Sequence, residues 1–133
     1  MGLSFYVQKA EPTGLRLSYG DFNRLRHRIA RSIGLKGVYP MTKTDMYITG
    51  QYKEIENTHP MYPLIEHNDC DGKLEPDDCG QIGACLKMLI PAWKMELEKD
   101  PDDDILRGHI IIGEKLADLL IECHKNDNTL LFI

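Results

Sequence analysis

The sequence is short of several things that would name a chemistry outright. It has few aromatic residues, 8% of the chain with one tryptophan. No charge-free run approaches the ~20 residues that a membrane-spanning helix needs. Nothing at the start reads as a basic segment leading into an apolar one, so the chain is expected to be soluble, unexported and cytoplasmic, with no membrane partner. The start also misses the myristoylation pattern, because Tyr6 stands where Ser or Thr is needed. There is no Walker loop, no Gly-x-Gly-x-x-Gly, no Gly-x-Ser-x-Gly and no His-Glu-x-x-His, which removes the enzyme classes built on them. The four cysteines, Cys70, Cys79, Cys85 and Cys123, include no Cys-x-x-Cys pair. Thioredoxin-like chemistry and the usual zinc-knuckle spacings are therefore not supported. Without an export signal, a disulfide framework is not expected either. Cys79, Cys85 and Cys123 fall on predicted helices and read as small core hydrophobes.

What is present suits one folded domain over residues 1–133. Hydrophobic residues make up 42% of the chain and charged residues 28%, with a net charge of -5. A chain of this length can bury roughly two thirds of its unfolded surface. The charge is unevenly spread: residues 1–53 hold nine basic and three acidic residues, whereas 66–104 hold twelve acidic and four basic ones. A basic first third and an acidic middle can attract partners, or can face each other within the fold.

Leu3, Phe5 and Val7 alternate with polar neighbours, and Leu15 and Leu17 alternate again after the turn residues Glu11-Pro12-Thr13-Gly14. This predicts a β-hairpin over 3–18. Ser18 followed by Asp21 has capping-box character and opens a helix to about Ile33. Phe22, Leu25, Ile29 and Ile33 form its apolar face. Arg24, His27, Arg28 and Arg31 lie opposite, with Arg26 at the edge. From Gly34 to Pro63 the pattern is poor, with one short strand candidate at Met46–Thr49. Pro76, followed by Asp77 and Asp78, starts a second helix. Its stripe is Cys79, Ile82, Leu86, Leu89, Ile90, Trp93 and Leu97, and Pro91 should kink it. Pro101 and Asp102–Asp104 start a third helix by the same logic, with a stripe of Ile105, His109, Ile112, Leu116, Leu119 and Cys123. Leu106, Ile110 and Leu120 flank that stripe. His109 reads as a satisfied core histidine, Trp93 as core, and His124 as a cation in the last turn. Asn126-Asp127-Asn128 ends the helix, and Leu130–Ile133 reads as a strand able to join the hairpin. The expected class is a helix-rich α+β domain: three main helices and a small sheet made from the chain ends.

Ligand-type side chains are densest over residues 66–79. Asp69, Asp71 and Gly72 occupy what would be positions three, five and six of a calcium loop, with Glu75 at nine and Asp78 at twelve. The match breaks at position one, where His67 replaces a carboxylate, and at position twelve, where Asp78 is short for bidentate reach. Pro76 also starts the helix early. A second reading places a catalytic transition metal on His67, Asp69 and Asp71, with His59 joining them. A third places zinc on His67, Cys70 and Cys79. In the last, the Asx residues and Gly72 only shape a turn leading into the helix.

The block His67-Asn68-Asp69-Cys70-Asp71-Gly72, followed by Leu74, Pro76, Asp78 and Cys79, resembles small bacterial and phage proteins bearing a His-Ser-Asp-Cys-Asp-Gly-like block. The Met1-Gly2-Leu3 start and the apolar Leu130-Leu131-Phe132-Ile133 stretch are similar in several of them, while Asn68 departs from the commoner Ser. The resemblance implies a bacterial or phage cytoplasmic origin and carries no catalytic role.

Three functional readings follow. The first is a non-enzymatic protein acting through protein contacts, with the 66–79 loop structural or holding a divalent cation. The second is a metal-dependent hydrolase using His67, Asp69 and Asp71. The third is nucleic-acid binding through Arg24, Arg28 and Arg31, against which the acidic balance and the lack of a helix-turn-helix partner weigh. A homodimer through an apolar stripe on the second helix is a further partner reading, which core packing explains equally well. The cation reading has a direct check: thermal unfolding of chelator-treated protein with metals titrated back. A cation at 100 times its Kd adds about 2.7 kcal/mol, so the loop reading expects a saturable rise of several degrees in Tm with calcium or magnesium. Manganese or zinc would produce that rise under the hydrolase reading, and no shift with any metal leaves the segment as a turn.

Overall fold

A computed structural model describes residues 2–7, 12–32, 64 and 72–132. The strand candidate at 46–49 and the ligand-type residues from His59 to Asp71 lie outside them. The elements are β1 (Gly2–Val7), β2 (Pro12–Ser18), α1 (Tyr19–Ser32), β3 (Gly72–Leu74), α2 (Pro76–Lys99), α3 (Asp104–Lys125) and β4 (Leu130–Phe132). Among the described residues, these three helices and an antiparallel sheet of order β2-β1-β4-β3 give the helix-rich α+β fold that the sequence predicts.

Local chemistry accounts for the boundaries. The Ser18 hydroxyl accepts a hydrogen bond from the Asp21 amide at 3.0 Å, which satisfies one of the orphan donors at the start of α1. Asp103 does the same for α3, accepting from the Leu106 amide at 3.0 Å. That helix starts at Asp104, after a turn at Pro101 and Asp102, so Pro101 is outside it and not at its first position. Pro76 does occupy the first turn of α2, where its missing N–H costs nothing. Pro91 interrupts the hydrogen-bond ladder of α2 on an exposed side, and the helix continues through it. Asp127 adopts a left-handed φ of 52° just beyond α3, a conformation that Asp and Asn tolerate. β2 begins earlier than the alternation suggests, at Pro12, the end residue of an edge strand, where a ladder donor is dispensable.

β4 sits between β1 and β3, with Phe5 opposite Phe132 and Leu74 opposite Leu130. Phe5, Leu17, Leu74 and Leu130 are buried on the helix side of this sheet. β3 is absent from the sequence reading, which leaves Gly72–Leu74 in a loop. The three residues extend because β4 is there to pair with them.

α2 and α3 pack closely. A Cβ on Gly83 would stand 2.8 Å from Ile121 Cγ1 and 3.2 Å from the Ala117 carbonyl oxygen, and one on Gly80 would meet the His124 ring at 2.6 Å. The buried side of α3 is Leu106, His109, Ile110, Gly113, Leu116, Ala117, Leu120 and Cys123. It is turned from the expected stripe toward Gly113 and Ala117, and Ile105 is left 61% exposed. Small residues let the partner helix come near, so they mark the contact line better than the largest side chains do. Trp93 covers Gly113, and its indole N–H donates to the Ser32 hydroxyl at 2.9 Å, tying α2 to the end of α1.

Two glycine substitutions test this packing by denaturant unfolding. Gly83→Ala should lose about 1–3 kcal/mol through forced separation of the helices. Gly108→Ala, whose Cβ would meet nothing within 4 Å, should gain about 0.5–1 kcal/mol from helix propensity.

Candidate functional site

The cleft of interest is about 380 Å³ and opens between β2, the start of α1 and the first half of α3. Alternation along β2 buries Leu17 and leaves Arg16 exposed at the rim. One turn of α1 places Asp21 and Arg24 beside each other, 3.0 Å apart as an ion pair, with Leu25 buried behind them. α3 supplies Asp104, Ile105, Gly108, His109 and Ile112. Gly108 leaves a gap in this wall that a side chain would otherwise fill.

At the back, Arg28 Nε donates to His109 Nδ1 at 2.7 Å. An imidazole nitrogen that accepts from a guanidinium carries no proton, so the proton resides on Nε2 and the ring is neutral. Burial first, and then the Arg28 charge, push His109 down to about 4; Arg24 acts in the same direction, while Asp21 and Asp103 oppose it. Arg28 also lies 3.9 Å from the Glu96 carboxylate, which links all three helices. Asp104 is paired with Arg107, which also bonds the Pro101 carbonyl. The acids of the cleft are thus engaged by arginines of their own helix. The Arg16 side chain forms no ion pair or hydrogen bond among the described residues. Chemically, the cleft offers an apolar floor, one cation uncommitted among the described residues and a histidine too weakly basic for proton transfer near neutral pH.

The arginines singled out from the sequence do not form one solvated stripe. Arg24 is exposed. Arg28 has a side chain only 17% exposed, turned inward to His109. Arg31's side chain lies outside the described ones. His27 and Arg26 are buried, the Arg26 guanidinium standing 4.6 Å from the centre of the Phe22 ring, which in turn meets Phe5 edge-on at 5.8 Å. A long aliphatic stem and a flat guanidinium let arginine pack as core.

Of the metal candidates, His67, Asp69 and Asp71 lie outside the described residues. Glu75 precedes α2 and is held by Lys73 at 3.1 Å and by the Thr129 hydroxyl at 3.3 Å. Asp78 lies in the first turn of α2. Among the described residues, no group of three or more His, Cys, Asp or Glu is placed to hold a metal ion. The expected α2 stripe is largely core, with Cys79, Ile82, Leu86, Ile90 and Trp93 buried, while Met88 and Met95 are the exposed large hydrophobic side chains of that helix. Among the described residues no helix is long and apolar enough to cross a membrane.

The chain matches no protein family, no curated protein and no solved structure. The functional reading therefore rests on geometry. Sequence reasoning missed the cleft because its residues come from three separate elements, although His109 on an apolar stripe and the exposed Arg16 were both visible.

The depressed His109 sets a pH dependence. Between its ordinary value near 6.5 and about 4, the unfolded chain takes up a proton that the folded chain refuses. Stability is then complete above pH 6.5 and falls as the pH drops through that window, by about 3 kcal/mol in all. His109→Gln, whose amide oxygen can still accept from Arg28, should show a shallower loss over pH 6.5–4 when the two unfolding curves are compared.

Proposed function

We propose that this protein is a small non-enzymatic binding module acting through contact with another protein. The cleft between α1 and α3 takes an apolar side chain of the partner with an acidic residue beside it. One observation carries this reading: Arg16, whose side chain has no ion pair among the described residues, lines the cleft with Leu17, Leu25 and Ile112, next to an Ile105 that is mostly exposed. An apolar side chain fills the gap at Gly108, and a carboxylate next to it meets Arg16. Burial of the apolar group supplies most of the affinity, and the charge pair sets orientation and partner choice. The cytoplasmic setting suggested by the sequence belongs to this reading.

The cleft argues against chemistry at this place, since its lining among the described residues holds no Ser, Thr, Cys or Lys nucleophile and its histidine is neutral and fixed. It also draws charge away from the nucleic-acid reading, because Arg28 is committed to the interior.

The test is an amide-shift titration with short peptides pairing Leu, Ile or Phe with an adjacent Asp or Glu. Saturable shifts at Arg16, Gly108 and Ile112 are expected, weakened at least tenfold by Arg16→Glu and by Gly108→Leu, with the fold retained in both. Absence of any shift at the cleft, together with chelator-sensitive turnover of phosphoester substrates, would overturn the reading in favour of a hydrolase.

A further inference from the structure

Two of the cysteines are unused by the cleft and stand together at the opposite end of the helix pair. Cys79, in the first turn of α2, and Cys123, in the last turn of α3, are both fully buried. Their neighbours Gly80 and His124 are packed so tightly that a Cβ on Gly80 would overlap the His124 ring, and His124 Nδ1 lies 3.0 Å from the Pro76 carbonyl. The two thiols are near enough for each to shift the acidity of the other, and the Cys79 thiol donates to the Leu74 carbonyl at 3.4 Å. We infer that Cys79 and Cys123 form an oxidisable dithiol, a modification site that closes to a disulfide clamping the start of α2 to the end of α3. This inference is independent of the cleft.

The chemistry requires a small two-electron oxidant, and hydrogen peroxide is the class that fits a covered site. The neighbouring Cys79 holds Cys123 below its ordinary value, whereas Cys123 and burial hold Cys79 high, so Cys123 is the nucleophile of the pair. Cys123 sulfur attacks one peroxide oxygen, the O–O bond breaks, and hydroxide leaves to become water on protonation. The Cys79 thiol then loses its proton and attacks the sulfenic sulfur. The S–S bond forms, the S–O bond breaks and a second water departs. Two thiols are oxidised by two electrons, and one peroxide is reduced to two waters.

Access runs through the strand that covers the pair. Leu74 and Leu130 lie against Cys79, and β3, only three residues long, is among the described residues an edge strand that pairs with β4 alone. Short edge elements open at low cost compared with the core, so oxidation proceeds from the folded chain at a rate limited by that opening. Cys85 is a poor competitor, because burial pushes its thiol up and no second cysteine among the described residues shares its environment.

The experiment treats the reduced full chain with hydrogen peroxide under native conditions and follows intact mass, peptide map and Tm. The expected product is a monomer lighter by about 2 Da. Its digest joins the Cys79 and Cys123 peptides and leaves Cys85 alkylatable, and its Tm rises by several degrees and returns on reduction. Cys85→Ser should still form the product, whereas Cys79→Ser should not. Because the wild-type mass and map decide the matter, poor folding of the Cys79 variant would not rescue or sink the proposal. Overoxidation of Cys123 without a crosslink, a dimer joined through Cys85, a crosslink seen only in denaturant, or a crosslinked chain with a lowered Tm would each overturn it.

Discussion

The close antiparallel contact of α2 with α3 is the constraint on which the remaining structure depends. Gly80 and Gly83 remove the side chains that would hold the helices apart, and the interdigitating stripes of Ile82, Leu86, Ile90, Leu116 and Leu120 fill the space between. β3 runs directly into α2, and β4 follows directly from α3. Closing the helices therefore brings β3 and β4 side by side without any further search. Strands of three residues have little stability of their own, so this pairing is a product of the helix contact. The His124 bond to the Pro76 carbonyl and the Thr129 bond to Glu75 secure the same end.

α1 is attached to this helix pair by polar chemistry as much as by apolar packing. Arg28 reaches His109 on α3 and Glu96 on α2, and Ser32 receives the Trp93 indole proton. Polar groups taken out of water must find partners or lose stability, and these partners come from different helices. The angle of α1 is thereby specified by hydrogen-bond geometry, where apolar contacts alone would tolerate slippage. The neutral His109 follows from the same bond: a ring that accepts from a guanidinium cannot also be a cation without repulsion. Fixing the helix thus commits His109 Nδ1 to accepting from Arg28.

Much of this was legible in the sequence, and the exceptions share a cause. The hairpin, the three helices, the Ser18 cap and a strand near Leu130 follow from local periodicity and capping chemistry. β3 was not legible, since Gly72-Lys73-Leu74 has no alternation of its own and extends only beside β4. On α3 the expected Leu106, His109, Ile110, Leu116, Leu120 and Cys123 are buried, whereas Ile105 looks like core and is exposed, and Gly113 and Ala117 do not look like core and are buried. Yet the small residues are what the partner helix approaches. Arg26, His27 and Arg28 were assigned to an edge or an outer face by polarity, while the structure packs them by stem and ring. The cleft needed three elements brought together, which no local window contains. The cation reading of residues 66–79 turns on His67, Asp69 and Asp71, outside the described residues, and Glu75 is already engaged by Lys73 and Thr129.

The position of β4 has a consequence for how the chain reaches this state during synthesis. β1 and β2 leave the ribosome first, as a two-stranded ribbon with one long edge bare. β3 emerges with no strand beside it, since the place between β1 and β3 belongs to a segment that follows both long helices. The middle of the sheet is thus filled by its last-made strand. Until then the nascent chain holds an edge whose unpaired amides and carbonyls can template the wrong neighbour. Assembly of this sheet is gated by the arrival of Leu130–Phe132 and by a helical hairpin already closed to receive them.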